Sequence, residues 1–110
     1  MGSLLVVALV SQADGGRSIR YLALGDSFTI GTSTPERLNF PSQLKGLLEG
    51  KGVTVRLTNV AVNGYSTREL IERELPALDA VKPTHVTLAI GANDLVRGKG
   101  LAEYRARLKL

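Results

Sequence analysis

His85-Val86-Thr87-Leu88-Ala89-Ile90, closed at once by Gly91, is the stretch that decides the fold. Apolar residues occupy both alternating sets of positions, so neither face of a strand here is built for water. Strands of that kind sit at the centre of parallel sheets covered by helices on both sides. Upstream, Lys82-Pro83 ends a helix, because the residue before a proline avoids the helical region. That helix starts at Ser66, where Ser66 and Glu69 form a capping box, and it presents Leu70, Ile71, Leu75 and Leu78 as an apolar stripe. Pro76 lies inside it and predicts a kink or a restart. Further upstream Val53, Val55 and Leu57 alternate as a strand does, Thr58–Val62 extends the apolar stretch, and Asn63-Gly64 is a turn signal.

The same alternation continues to the N-terminal side. Leu44, Leu47 and Leu48 mark the buried face of a helix that begins near Pro41 and stops at Gly50 and Gly52. Before it comes a compact strand, Ile19–Leu24, ending at Gly25. Downstream of Gly91, Leu101, Tyr104 and Leu108 define a final amphipathic helix after the Gly98/Gly100 loop. The order is β-α-β-α-β-α, which implies an α/β layered domain with a parallel sheet and right-handed crossovers.

The 110 residues allow one domain. With 44% apolar and 22% charged residues the chain reads as globular. It has no cysteine, which excludes disulfides, thiolate catalysis and cysteine-based zinc sites. The net charge of +4 is scattered apart from Arg97, Lys99, Arg105, Arg107 and Lys109, and no nucleic-acid recognition motif accompanies it. Residues 1–18 read as a signal peptide or a disordered leader, or else as an extra strand. Leu4–Val10 is an unbroken apolar run, and Ser11-Gln12-Ala13 resembles a signal-peptidase site, but Met1-Gly2-Ser3 lacks a basic residue. The run is too short to span a bilayer, and the choice between export and a cytoplasmic location stays open.

In open parallel sheets ligands bind beyond the carboxyl ends of the strands. Three small polar clusters fall there: Gly25-Asp26-Ser27, Asn63-Gly64 and Gly91-Ala92-Asn93-Asp94. Each taken singly is an ordinary turn or helix cap. Together they offer a hydroxyl on a tight strand-to-helix turn, a glycine N–H open to close approach, and a side-chain amide donor. A serine facing converging neutral donors is the layout of acyl transfer, in which the donors stabilise an oxyanion.

These three stretches resemble the sequence blocks of the GDSL (SGNH) hydrolases. Tyr21-Leu22-Ala23-Leu24-Gly25-Asp26-Ser27-Phe28-Thr29 is similar to the first block, Asn59-Val60-Ala61-Val62-Asn63-Gly64 to the second, with Ala61 where many members have glycine, and Gly91-Ala92-Asn93-Asp94 to the third. The resemblance runs from about Ile19 to Leu110. It implies a three-layer α/β/α, flavodoxin-like domain with the three strands in spatial order 2-1-3. It also implies an ester or thioester hydrolase working on a small-molecule ester through an acyl-enzyme, with no metal or organic cofactor. Ser27 would be the nucleophile. The Ser27 N–H, the Gly64 N–H and the Asn93 side chain would hold the oxyanion, while Asp26 would shape the turn.

The family's fourth block, Asp-x-x-His, is absent from these residues. Its histidine is the general base. His85 is the only histidine, and it opens a strand whose far end leads to the site. Five steps of about 3.3 Å put it roughly 16 Å from Ile90, so it reads as structural. Residues 19–110 therefore read as a partial SGNH domain, lacking C-terminal strands and helices and with one sheet edge unpaired. The chain would be a fragment of a serine esterase. The alternative is a short protein in its own right: an inactive ligand-binding module, or a site completed by a partner chain.

Overall fold

The computed structural model describes residues 18–109 in full and the backbone of residues 6–11. The elements in chain order are β1 (Val6–Ser11), β2 (Ser18–Gly25), α1 (Ser27–Ile30), a 3₁₀ turn (Glu36–Leu38), α2 (Phe40–Glu49), β3 (Thr54–Asn59), α3 (Thr67–Glu69), a π-turn (Leu70–Glu74), α4 (Ala77–Val81), β4 (His85–Ile90), α5 (Ala92–Val96) and α6 (Leu101–Leu108). Among the described residues no helix is long and apolar enough to cross a membrane.

The sheet order is β1-β4-β2-β3. β2 lies between β3 and β4 and is parallel to both, so the three strands expected from the sequence take the order 2-1-3. β2 sorts its side chains by parity, as a strand buried on both faces does. Ile19, Tyr21 and Ala23 pack with Val55 against Leu44 and Leu48 of α2. Leu22 and Leu24 pack with Leu70 and Ile90 on the other face, under Leu75, Ala77, Val81 and Leu108. Helices thus cover both faces, and the result is the expected three-layer α/β/α arrangement. Leu22 is fully buried, a contribution of about 1.5–3 kcal/mol for a side chain of its size. Thr87 is tolerated in the middle of β4 because its hydroxyl meets the buried Tyr21 hydroxyl at 2.8 Å.

Three local expectations are corrected. Leu47 is 67% exposed. Pro41 is buried, and Leu44 and Leu48 face the core. At 3.6 residues per turn Leu47 therefore falls about 100° round the helix from Leu48 and looks outward. Leu78 is also exposed, at 37%. It follows Pro76, where the helix changes register. Pro76 has no N–H, and ahead of it the Leu75 N–H reaches back five residues to the Leu70 carbonyl at 2.9 Å. The capping box at Ser66 and Glu69 is present, so the helix starts as expected, widens into a π-turn and restarts at Ala77. Finally, the edge of β4 is not open. β1 pairs with it antiparallel along its whole length, from Val6↔Ile90 to Ser11↔His85. Of the N-terminal readings, residues 1–5, the Gln12-Ala13 part of the cleavage-like site and the Asp14-Gly15-Gly16 break lie outside the described residues.

The register also fixes the site. Ala23 lies opposite Asn59 and Gly25 opposite Ala89, so all three parallel strands end on one edge. Gly25 is packed so closely there that a Cβ would collide with the Thr29 side chain and the Ala89 carbonyl. Gly25→Ala is expected to lower stability by about 1–3 kcal/mol, the usual cost of overpacking, as read from the urea midpoint.

Candidate functional site

Ser27 stands at the first position of a one-turn helix whose geometry is set by its neighbours. Asp26 caps it, accepting the Phe28 N–H at 3.0 Å. Gly31 closes it in the left-handed region, its N–H on the Ser27 carbonyl at 2.9 Å. Two asparagines hold the turn's carbonyls. Asn59 donates to the Thr29 carbonyl at 3.2 Å and Asn39 to the Ile30 carbonyl at 3.1 Å. Ser27 itself is half-buried, and Phe28 is 58% exposed and stacked on Phe40, with ring centroids 5.4 Å apart.

The second and third motifs are tied to each other. Gly64 has a φ of 86°, a region that favours glycine, and the space a Cβ would occupy is open. The Asn93 side-chain amide donates to the Tyr65 carbonyl at 2.9 Å. One helical turn on, Arg97 donates to the Gly64 carbonyl, to the Ser66 hydroxyl at 3.1 Å and to the Glu69 carboxylate at 2.7 Å. Asn93 of α5 and Arg97, just past its end, thus grip consecutive carbonyls of the loop at residues 64–65. Burial opposes the charge on Glu69, but hydrogen bonds from the Ser66 N–H, Arg97 and the Ser66 hydroxyl outweigh it and hold the carboxyl below its ordinary value.

Asp94 locks the same region from beneath. It is fully buried and accepts both the Thr67 N–H, at 2.9 Å, and the Thr67 hydroxyl. The Arg107 guanidinium of α6 lies 4.0 Å away. In the same helix Tyr104, itself buried, donates to the Ile90 carbonyl at 3.0 Å.

The Ser27 turn also rests on a carboxyl. Glu74, in the π-turn, is fully buried and accepts the Gly25 N–H at 2.8 Å. Burial raises its pKa to about 7. The Gly25 hydrogen bond opposes the rise and the neighbouring Asp26 charge adds to it. Asp26 is raised as well, first by burial and lastly by Asp94, against the hydrogen bond from Phe28. Glu74 and Arg97 were not singled out as part of the site by the sequence motifs. Glu74 did leave a trace, because it stands four residues after buried Leu70, on the stripe that faces the sheet.

Ser27, Gly64 and Asn93 therefore all sit, half-buried, at the carboxyl edge of the parallel strands. His85 does not join them. It begins β4 opposite Tyr21, with its Nδ1 2.9 Å from the Thr84 hydroxyl. Among the described residues no imidazole or carboxylate hydrogen-bonds the Ser27 hydroxyl.

A sheet covered by helices on both faces, with its polar clusters gathered at the carboxyl edge of the parallel strands, defines a three-layer α/β/α domain of the SGNH-hydrolase class. This chain belongs to the GDSL-like lipase/acylhydrolase family, whose profile matches residues 23–110. It is 33% identical over 94 residues to an arylesterase of Vibrio mimicus, covering 86% of this chain and 47% of that protein. AlinE4, an SGNH-hydrolase family esterase, superposes with a TM-score of 0.71 at 32% identity over 84% of this chain and 50% of its own. TesA superposes with a TM-score of 0.75 at 25% identity over 81% and 49%. The chain spans about half the length of these relatives.

Proposed function

We propose that this chain carries the nucleophile and the oxyanion donors of a GDSL-type serine esterase. Ser27 Oγ attacks the ester carbonyl, the alcohol leaves, and water then hydrolyses the acyl-Ser27 intermediate. The oxyanion is held by the Ser27 N–H, the Gly64 N–H and the Asn93 side chain. An asparagine amide has two N–H bonds; one is engaged by the Tyr65 carbonyl, and the other serves the oxyanion. The observation that supports this most is the bonding of Asn93 and Arg97 to the Gly64–Tyr65 loop, which ties one proposed donor to the other. The general base comes from outside the described residues, since the single histidine sits at the opposite end of β4. Removing one oxyanion donor costs about 10²–10³ in kcat, so with imidazole supplied as base Asn93→Ala is expected to lose that much of the ester turnover with little change in KM.

The position of His85 also favours a second reading, a module that binds acylated ligands without turnover. Imidazole in solution can stand in for a missing base, so p-nitrophenyl acetate hydrolysis is followed as imidazole is added. An increment that saturates with ester and vanishes in Ser27→Ala supports the esterase. Ligand binding that survives in Ser27→Ala, with imidazole giving only its buffer rate, supports the module.

A further inference from the structure

Beneath the Ser27 turn lies a buried carboxyl pair that the proposed reaction does not use. Glu74 Oε1 accepts the Gly25 N–H, while Glu74 Oε2 and Asp26 Oδ2, both buried, have no hydrogen-bond partner. Asp26 directly follows Gly25, so the carboxyl seated on the Gly25 N–H lies beside it in the same buried turn, and a charge on Asp26 opposes one on Glu74. No cation pairs with Glu74 among the described residues. Arg107 of α6 is turned to Asp94 and Glu103. Arg68 and Glu69 of α3 pair with Glu72 and Arg97. Arg20 of β2 and Asp79 of α4 are exposed, and His85 is bonded to Thr84. Two buried acceptors without donors are costly, and one proton satisfies both.

We propose that Glu74 is a positioning residue for Ser27: it enters the folded chain protonated, donates a hydrogen bond to Asp26, and keeps its other oxygen on the Gly25 N–H. The carboxylic acid then clamps both residues that precede the nucleophile. Its value as a positioning residue rests on the reading of Ser27 above; the clamp itself does not. Burial lifts Glu74 from an ordinary 4.5 to about 7. Between those two pH values the unfolded chain has lost the proton and the folded chain retains it. The folded chain therefore binds more protons there, and stability falls as pH rises from about 4.5 to about 7. Above that range Glu74 ionises, repels Asp26 and loosens the turn.

Glu74→Gln tests this, because its amide oxygen still accepts from Gly25 and its NH₂ still donates to Asp26, now at every pH. In the whole chain the Gly25 amide resonance is expected to titrate with an inflection near pH 7, and in E74Q to stay flat. Relative to wild type, E74Q gains thermal stability from pH 5 to pH 8. The imidazole-assisted reaction of Ser27 with a fluorophosphonate falls across pH 7 in wild type when divided by the rate of E74Q. A Gly25 resonance that is flat in wild type between pH 5 and 9, or one that titrates equally in E74Q, overturns the clamp. A titrating Gly25 amide beside a rate ratio that is flat with pH overturns the link to Ser27. Labelling that persists in Ser27→Ala refutes the nucleophile reading instead, without touching the amide titration.

Discussion

Asp94→Ala is expected to cost about 3–5 kcal/mol, the loss seen when one partner of a buried charged network is removed. Asp94 is fully buried and gives two acceptors to Thr67, at the start of α3. Its removal strands the Thr67 N–H and hydroxyl, and leaves the inner nitrogen of Arg107, already without a hydrogen bond, with no facing charge. An exposed aspartate in a loop would cost under about 0.5 kcal/mol, so the magnitude separates the two roles. Because Asp94 adjoins Asn93, the same change frees α5 from α3 and releases the Asn93 grip on Tyr65. Urea unfolding of the Ala variant measures the loss. Asp94→Asn keeps one acceptor for the Thr67 N–H, so a smaller loss is expected there.

Ser27→Ala should have the largest effect on chemistry and a small one on stability. The hydroxyl is half-buried at the first position of α1, and the turn is held by Asp26, Asn39, Asn59 and Gly31 rather than by Ser27 Oγ. A positioned general base contributes about 10²–10⁴-fold, and imidazole in solution recovers part of that only if a nucleophile is there to be deprotonated. In Ser27→Ala the rate with imidazole is expected to equal that of imidazole in buffer, while the thermal midpoint stays within a degree or two of wild type on the scale of surface substitutions. Initial rates of p-nitrophenyl ester cleavage, beside a thermal melt of each variant, check both halves.

The layered fold was legible because hydrophobic patterning and breakers agree with it. A strand apolar on both faces, His85–Ile90, can only be covered by helices, and the observed β4 has the same span. The capping box at Ser66 and Glu69 was equally local and is present. Errors arose where a partner decides. Leu47 fits the helical stripe as well as Leu48 does, and only the seat of α2 on the sheet turns it outward. The π-turn before Pro76 depends on which carbonyl the Leu75 N–H finds, which no spacing rule states. The pairing of β1 with β4 joins segments more than seventy residues apart.

At the site, the motifs pointed to the residues that end the strands, because strand ends and glycines are visible in sequence. The charges that hold those residues were not. Arg97 read as one member of a basic stretch near the end of the chain, yet it reaches the Gly64 carbonyl. Asp26 and Asp94 read as turn residues, and their burial comes from tertiary packing. Glu74 shows the limit best. A charged residue on an apolar stripe is a warning that it is either exposed or paired, and only the approach of Gly25 shows which group it serves.

The most direct test of the Ser27 site is to treat the whole chain with a fluorophosphonate in the presence of imidazole, digest it, and locate the adduct by mass spectrometry. A single phosphonyl adduct on Ser27, absent from Ser27→Ala and weakened in Asn93→Ala, is the expected result. An adduct on another serine or threonine, or none at reagent concentrations that label serine esterases, would contradict it.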